Sequence, residues 1–274
     1  MRGALAVAAM LLASQAAAGV VSHRLNTLNL AGERATSARL EEGELRAETP
    51  SGRFGGEALV GAHIEGERPD GRSALHRVVR AVRDARSGGS TWLYELEYRD
   101  ADSGAWKPFC APDAEGGRWA IPLAGYYDAR NAAHADPARI TFACTRGVMA
   151  KCYRWGYYPW QGPEHAAAHQ ACIRMAMADY CGDGRSWTRD GTLIQRWDAL
   201  TPPVQPYVGI AKGLRFEAAW TPQGAACLAR PRWLEKGFRR DACAASVPAC
   251  ASPEEALRNF GGSVLLLNAS AEQQ

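Results

Sequence analysis

Eight cysteines constrain this chain more than any other feature of its sequence. They are Cys110, Cys144, Cys152, Cys172, Cys181, Cys227, Cys243 and Cys250. No two of them form a C-x-x-C pair, so their even number points to disulfides rather than to a zinc ribbon or a redox pair. Five lie between 110 and 181 and three between 227 and 250. Complete pairing therefore requires at least one bridge between the two groups, which ties the C-terminal segment to the middle of the chain.

The N-terminus and the charge balance predict the compartment and exclude one class of partner. Arg2, an apolar run over 4–12 and alanines at 16–18 are typical of a signal peptide spanning residues 1–18. We therefore predict a secreted or periplasmic protein, in agreement with its disulfides. No later segment is apolar enough to cross a membrane. A formal net charge of +3 over 274 residues argues against nucleic acid as a partner.

Alternating hydrophobicity in the first half of the chain predicts β-strands. The aromatic residues of 91–100 share one face with Leu96, a period of two that is typical of a half-buried strand. The preceding run, 74–86, fits a strand or a helix, and the glycines of 87–90 favour an antiparallel hairpin. The predicted fold class is α+β and mainly β, built from antiparallel sheets.

Two helices are predicted within this β-structure. Residues 164–180 contain neither glycine nor proline, and Gly182 follows as a stop signal, so this segment is the one central helix. The sequence Ser-Pro-Glu-Glu at 252–255 is a capping box that opens a short C-terminal helix.

The central helix is predicted to be braced by disulfides. Nine residues of helix place Cys172 and Cys181 roughly 13 Å apart, whereas a disulfide needs Cα atoms within about 7 Å. The two cysteines must therefore reach different partners, and Cys144 and Cys152 are candidates for one of them.

Residues of this region also suggest an acid–base site. His169 with Asp179, Asp183 or Asp190 would supply a catalytic pair. In the alternative, the Asp-Gly sequences at 183 and 190 are turns in which the aspartate bonds its own backbone. His165 shares a helix face with His169, but no third ligand accompanies them, so no metal site is predicted. Nucleotide and hydrolase motifs are absent from the sequence, and no cofactor is expected.

Four aromatic residues just before the helix are candidates for binding. Trp155, Tyr157, Tyr158 and Trp160 stand within six residues. Clustered aromatic rings stack on sugars or grip peptides, and they equally pack a core because each buries a large apolar area. Tyr180, at the end of the helix, is predicted to pack beneath them.

Several short strings together resemble one family. They are ADYCGDG (178–184), HQAC (169–172), TFAC (141–144) and the Trp-x-Pro-Phe-Cys of 106–110. In this combination the chain resembles the ADYC domain, a family of exported bacterial proteins. The resemblance implies a domain over 70–235, between an N-terminal extension with weak strands at 19–69 and a disulfide-tied C-terminal segment at 236–274. It implies no particular reaction.

Two functions remain open at this point. The first is a non-catalytic binding or structural module whose partner is a glycan, a peptide or another protein held by the aromatic residues. The second is an extracytoplasmic hydrolase that uses His169 with a nearby aspartate.

Overall fold

A computed structural model describes residues 21–68, 71–87, 89–233, 237–239, 243 and 246–271. The signal peptide predicted at 1–18 lies outside the described residues. In chain order the described elements are β1 (Ser22–Arg24), β2 (Asn29–Leu30), β3 (Glu33–Arg34), β4 (Ser37–Glu41), β5 (Glu44–Thr49), β6 (Gly52–Gly55), β7 (His63–Glu67), β8 (Ser73–Arg83), β9 (Trp92–Arg99), β10 (Trp106–Pro108), β11 (Trp119–Ala124), β12 (Tyr126–Tyr127), β13 (Ala133–His134), β14 (Arg139–Cys144), α1 (Val148–Arg154), α2 (Pro163–Met177), β15 (Ile194–Asp198), β16 (Arg215–Thr221), β17 (Gly224–Leu228), α3 (Pro253–Phe260) and β18 (Leu266–Ser270).

Six antiparallel strands close into a barrel. Their order is β1-β14-β11-β9-β8-β7, and the pairing of β7 with β1 completes the ring. The aromatic face predicted for 91–100 points inward, since Tyr94 and Leu96 are buried with Val78, Ile140 and Phe142 in one core cluster. The mainly β, antiparallel prediction is confirmed.

The region predicted as an N-terminal extension, 19–69, contributes to this barrel. Its described part supplies the barrel strands β1 and β7. It also supplies the separate antiparallel sheet β4-β5-β6, whose Leu45 and Ala47 join the barrel core.

A second layer covers one side of the barrel. The antiparallel sheet β15-β18-β16-β17 packs against α2, and α1 packs against the same helix. Every residue from 168 to 177 is buried. This burial explains why the sequence of α2 lacks a polar face.

The helix prediction needs one correction. The sequence predicted one central helix, but α1 precedes α2 and packs against it. The seven residues of α1 follow directly after β14, and its N-cap, Gly147, offers no side-chain cap. The usual start signals of a helix are therefore missing from the sequence. At α3 these signals are present: Ser252 accepts the Glu255 amide, and Glu255 accepts the Ala251 amide.

All eight cysteines form disulfides. The pairs are Cys110–Cys144, Cys152–Cys172, Cys181–Cys243 and Cys227–Cys250. Cys172 and Cys181 have different partners, as predicted, but α2 ends at Met177 rather than at 180, so Cys181 lies beyond the helix. The bridge from Cys181 to Cys243 joins the two cysteine groups, so the C-terminal segment is tied to the middle of the chain.

Candidate functional site

Two adjoining cavities lie where loops at one end of the barrel meet α1. Their volumes are ≈ 700 Å³ and ≈ 490 Å³. Both are lined by Lys151, Trp155, Asp190 and Gly191, and we refer to the pair as the Trp155 cleft. Each cavity falls within the roughly 300–1,000 Å³ that is usual for ligand pockets.

Helix α1 positions the two central side chains of the cleft. Lys151 and the helix C-cap Trp155 are four residues apart and so lie on the same face of the helix. The helix is held to α2 by the Cys152–Cys172 bridge. It is held to the barrel by the nearly buried ion pair of Arg154 with Asp84, at 2.8 Å.

The opposite wall of the cleft is formed by barrel loops. Asp113 accepts hydrogen bonds from the Thr145 hydroxyl at 2.8 Å and from the amides of Glu115 and Gly117. Burial would raise the pKa of Asp113, but these hydrogen bonds outweigh it and the pKa lies below its ordinary value. Asp113 is therefore ionised at neutral pH and held in one orientation.

Two of the residues selected from the sequence meet in this cleft. Trp155 is half-buried, and the guanidinium of Arg196 lies 3.8 Å from its ring centroid. Asp190 is exposed beside Gly191, whose φ of 83° marks the predicted turn. The structure thus brings an aromatic ring and a carboxylate together on one concave surface.

The structure places His169 away from any catalytic arrangement with the three aspartates. It is 1% exposed on α2, and its Nε2 donates to the Met149 carbonyl at 3.0 Å. The Tyr127 hydroxyl is 3.4 Å from Nδ1, so both ring nitrogens are engaged. Burial lowers the pKa of His169 to about 4. The ring is neutral at physiological pH and packs between α1 and α2.

The other aromatic candidates divide between the core and a second surface. Tyr157 is fully buried and donates to Asp198 at 3.2 Å. Tyr158 stacks on Trp160, which is 40% exposed. Trp160 lines a shallow groove apart from the Trp155 cleft, with Pro203 on another side. The four rings do not form one binding surface.

Sequence reasoning missed two cations of the cleft. Arg146 and Lys151 both line its larger cavity, and both are exposed. Charged residues usually belong to a solvated face, and no motif set these two apart. Folding brings Arg146, in the loop after β14, and Lys151, on α1, to the same cavity as Trp155.

Neither a metal-binding cluster nor a helix able to cross a membrane is found among the described residues. Nowhere in the described part of the chain do three His, Cys, Asp or Glu side chains lie close enough to hold a metal ion. Within the same residues, no helix has the length and hydrophobicity to cross a membrane.

Comparison with known families identifies the chain. The family model of the ADYC domain matches residues 56–234, which is more than half of the chain. This chain belongs to the ADYC domain family. No curated protein and no solved structure matches it.

The motif that names the ADYC family forms a buried corner after α2. Ala178 adopts the left-handed conformation that ends the helix, with φ 53°. The fully buried Asp179 accepts the amides of Asp183 and Gly184 and pairs with Arg174 at 2.7 Å. Burial raises the pKa of Asp179, although the Arg174 charge opposes the shift. Asp179 thus accepts hydrogen bonds from two backbone amides and from Arg174. Such engagement is typical of a structural rather than a catalytic carboxylate.

Tyr180 joins a second buried network in the ADYC corner. Its hydroxyl donates to Glu217 at 3.1 Å and accepts the Arg232 amide at 2.7 Å. The prediction that Tyr180 packs beneath the aromatic residues of 155–160 was wrong. Its ring instead stacks on Trp220 and packs against Phe238. The last motif residue, Cys181, forms the disulfide with Cys243. The ADYC motif therefore links the end of α2 to the C-terminal segment.

Proposed function

We propose that this ADYC domain protein is an exported, disulfide-stabilised module that binds its partner without catalysis, and that the ligand occupies the Trp155 cleft. One observation carries the proposal. Trp155, Lys151 and Asp190 offer an aromatic ring, a cation and a carboxylate to the same two cavities. A few polar groups around an aromatic side chain are typical of a ligand pocket.

Export is supported by the chemistry of the chain. Four disulfides hold the described fold, and such bonds persist in oxidising compartments outside the cytoplasm. The signal-peptide pattern of residues 1–18 agrees with that compartment.

The hydrolase alternative has less support. A general base needs access to the substrate and a pKa near the working pH. His169 is buried, both of its ring nitrogens are engaged, and burial lowers its pKa to about 4. Asp190 does line the cleft, but its neighbours there are Trp155 and Lys151 rather than a histidine.

The test is a binding screen of the protein from residue 19 onward against glycans and peptides, followed by calorimetry of each hit. Trp155→Ala should weaken binding by at least about tenfold, because a ring that contacts a ligand contributes a large part of the contact area. Trp160→Ala is the matched control, since it removes another accessible tryptophan outside this cleft. Lys151→Ala is a second cleft variant that leaves the packing of Trp155 intact.

Three results would contradict the proposal. If both cleft variants bound the ligands as tightly as the wild-type protein does, the binding site would lie outside the cleft. If no ligand bound at all, the proposed binding function would be wrong. Cleavage of the ligand during incubation would contradict the non-catalytic assignment. If His169→Gln then failed to cleave it, the hydrolase alternative would be supported.

A further inference from the structure

More cations than acids line the two cavities of the Trp155 cleft. Two of its arginines are already paired: Arg86 with Glu115, and Arg154 with Asp84 at 2.8 Å. The side chain of Arg146 has no ion pair or hydrogen bond with any residue that the structure describes.

Lys151 is unpaired in the same way among the described residues, and it lines both cavities. Arg146 lines the larger cavity and is exposed as well. The two cations thus face the same space from the barrel loop and from α1. An anionic group between them would receive charge-assisted hydrogen bonds from both sides.

The acids of the cleft offset most, but not all, of this positive charge. Glu115 is bound to Arg86, and Asp113 is engaged by the Thr145 hydroxyl and two backbone amides. Asp190 is the remaining carboxylate, exposed and shared by both cavities. With Asp84, the partner of Arg154, four carboxylates therefore meet five cations, one of which is Arg189 of the smaller cavity. This surplus of one positive charge among the described residues favours ligands that carry negative charge.

The rest of the lining suits a sugar. The ring of Trp155 supplies an apolar face of the kind on which pyranose rings stack. Asp190 lines the smaller cavity and offers an acceptor for ligand hydroxyl groups. Thr188 and Thr192 line it as well, and their hydroxyls bond to each other at 3.3 Å. Because two cavities adjoin at Trp155, the space fits a chain of several sugar units rather than one.

We infer that the ligand of the Trp155 cleft is an acidic oligosaccharide whose anionic group binds between Arg146 and Lys151. This inference rests on the proposed function and adds the ligand class to it. Trp155 contacts a neighbouring sugar ring, and Asp190 accepts hydrogen bonds from sugar hydroxyls.

The test compares acidic oligosaccharides with neutral counterparts of the same backbone. Uronate oligomers are measured beside their methyl esters, and sulfated oligomers beside the unsulfated chains. A poly-glutamate peptide serves as an acidic ligand without sugar. At least one acidic oligosaccharide should bind about tenfold or more tightly than its neutral form, and added salt should reduce that difference.

Variants assign this preference to the two cations. The double variant Arg146→Gln/Lys151→Gln should lose the acidic preference, a loss of about tenfold or more in affinity for the acidic member. Both side chains are exposed, so the variant should fold normally. Lys212→Gln is the control, because Lys212 is exposed and lies outside the cleft.

The outcomes separate this inference from the proposed function. Equal binding of acidic and neutral forms, or an unchanged preference in the double variant, would overturn the inference and leave a binding module. Binding of poly-glutamate without any saccharide would overturn the sugar class. Failure of every glycan and peptide to bind would remove the proposed function as well.

Discussion

Arg232 is a fully buried cation whose five N–H groups all have acceptors. It meets both carboxylate oxygens of Glu217, the Thr188 hydroxyl and the carbonyls of Met175 and Ala176. Those carbonyls belong to the last turn of α2, where a helix leaves carbonyls without full intrahelical partners; the Met175 carbonyl also accepts the Ala178 amide at 3.0 Å. One side chain therefore neutralises a buried acid and caps the central helix.

Replacing this arginine should destabilise the fold strongly. In Arg232→Met, Glu217 would remain buried without its cation, a situation that typically costs about 3–5 kcal/mol. Urea unfolding should show this loss in the free energy of unfolding. Arg53→Met is the control, because its pair with Glu48 is largely exposed and should contribute less than about 1 kcal/mol. A loss in Arg232→Met as small as in the control would show that the buried network contributes little to stability.

At the scale of elements, α1 owes its position to tertiary attachments. It has only seven residues and no side-chain N-cap, and isolated helices of this length are not stable. The disulfide to α2 and the ion pair with Asp84 hold it in place. Because α1 carries Lys151 and Trp155, these attachments also hold the cleft.

Removing the bridge between the helices should loosen α1 selectively. The double variant Cys152→Ala/Cys172→Ala opens a loop of 20 residues, which should lower the free energy of unfolding by about 3 kcal/mol. Hydrogen exchange should speed up in the amides of α1 more than in the barrel strands. Cys110→Ala/Cys144→Ala is the control, since it removes a barrel disulfide and should leave α1 exchange as in the wild type. Uniform acceleration in both variants would argue against a local attachment.

At the scale of the whole molecule, both layers contain neutral buried histidines. His23 and His76 meet in the barrel with ring centroids 4.5 Å apart, and His169 lies in the helical layer. Burial lowers the pKa of His76 and of His169 to about 4. Burial, with the neighbouring His76, also lowers the pKa of His23 well below its ordinary value.

This burial predicts a loss of stability in mild acid. Well above pH 6.5 all three rings are neutral in both states, and the full stability is present. As the pH falls from 6.5 towards 4, the unfolded chain binds protons that the folded chain does not. The free energy of unfolding should then decline by up to about 1.4 kcal/mol per pH unit for each histidine.

Denaturant unfolding between pH 6.5 and 5 measures this slope before most carboxylates titrate. His169→Gln retains a donor for the Met149 carbonyl and should reduce the mean slope over this range by about 1 kcal/mol per pH unit. A slope unchanged by His169→Gln would mean that this ring already carries a proton in the folded state.

Much of the fold could be predicted because its signals are local. Period-two aromatics marked β9, the capping box marked α3, and glycine-free sequence followed by Gly182 marked α2. The different partners of Cys172 and Cys181 were also predicted, although the helix ends at Met177, earlier than the predicted end at 180. The closure of the barrel through β1 and β7 could not be predicted, since it depends on pairing between strands far apart in the chain.

The candidate site was only partly predictable. Trp155 and Asp190 were selected by residue type, but so were His169 and Tyr157, which the structure buries in packed layers. No sequence feature indicated a role for Arg146 or Lys151, because the sequence does not distinguish a cation that lines a cavity from one on the solvated surface.

By itself the sequence determined the cysteine framework, the strand periodicity, the presence of α2, the ends of α3, and membership of the ADYC family. Each of these depends on residue type and on spacing along the chain. Only the tertiary structure decided which charges are paired, which rings are accessible and which residues share a cavity. The physical reason is that burial and electrostatic pairing depend on distances in space, and folding sets these between residues remote in sequence.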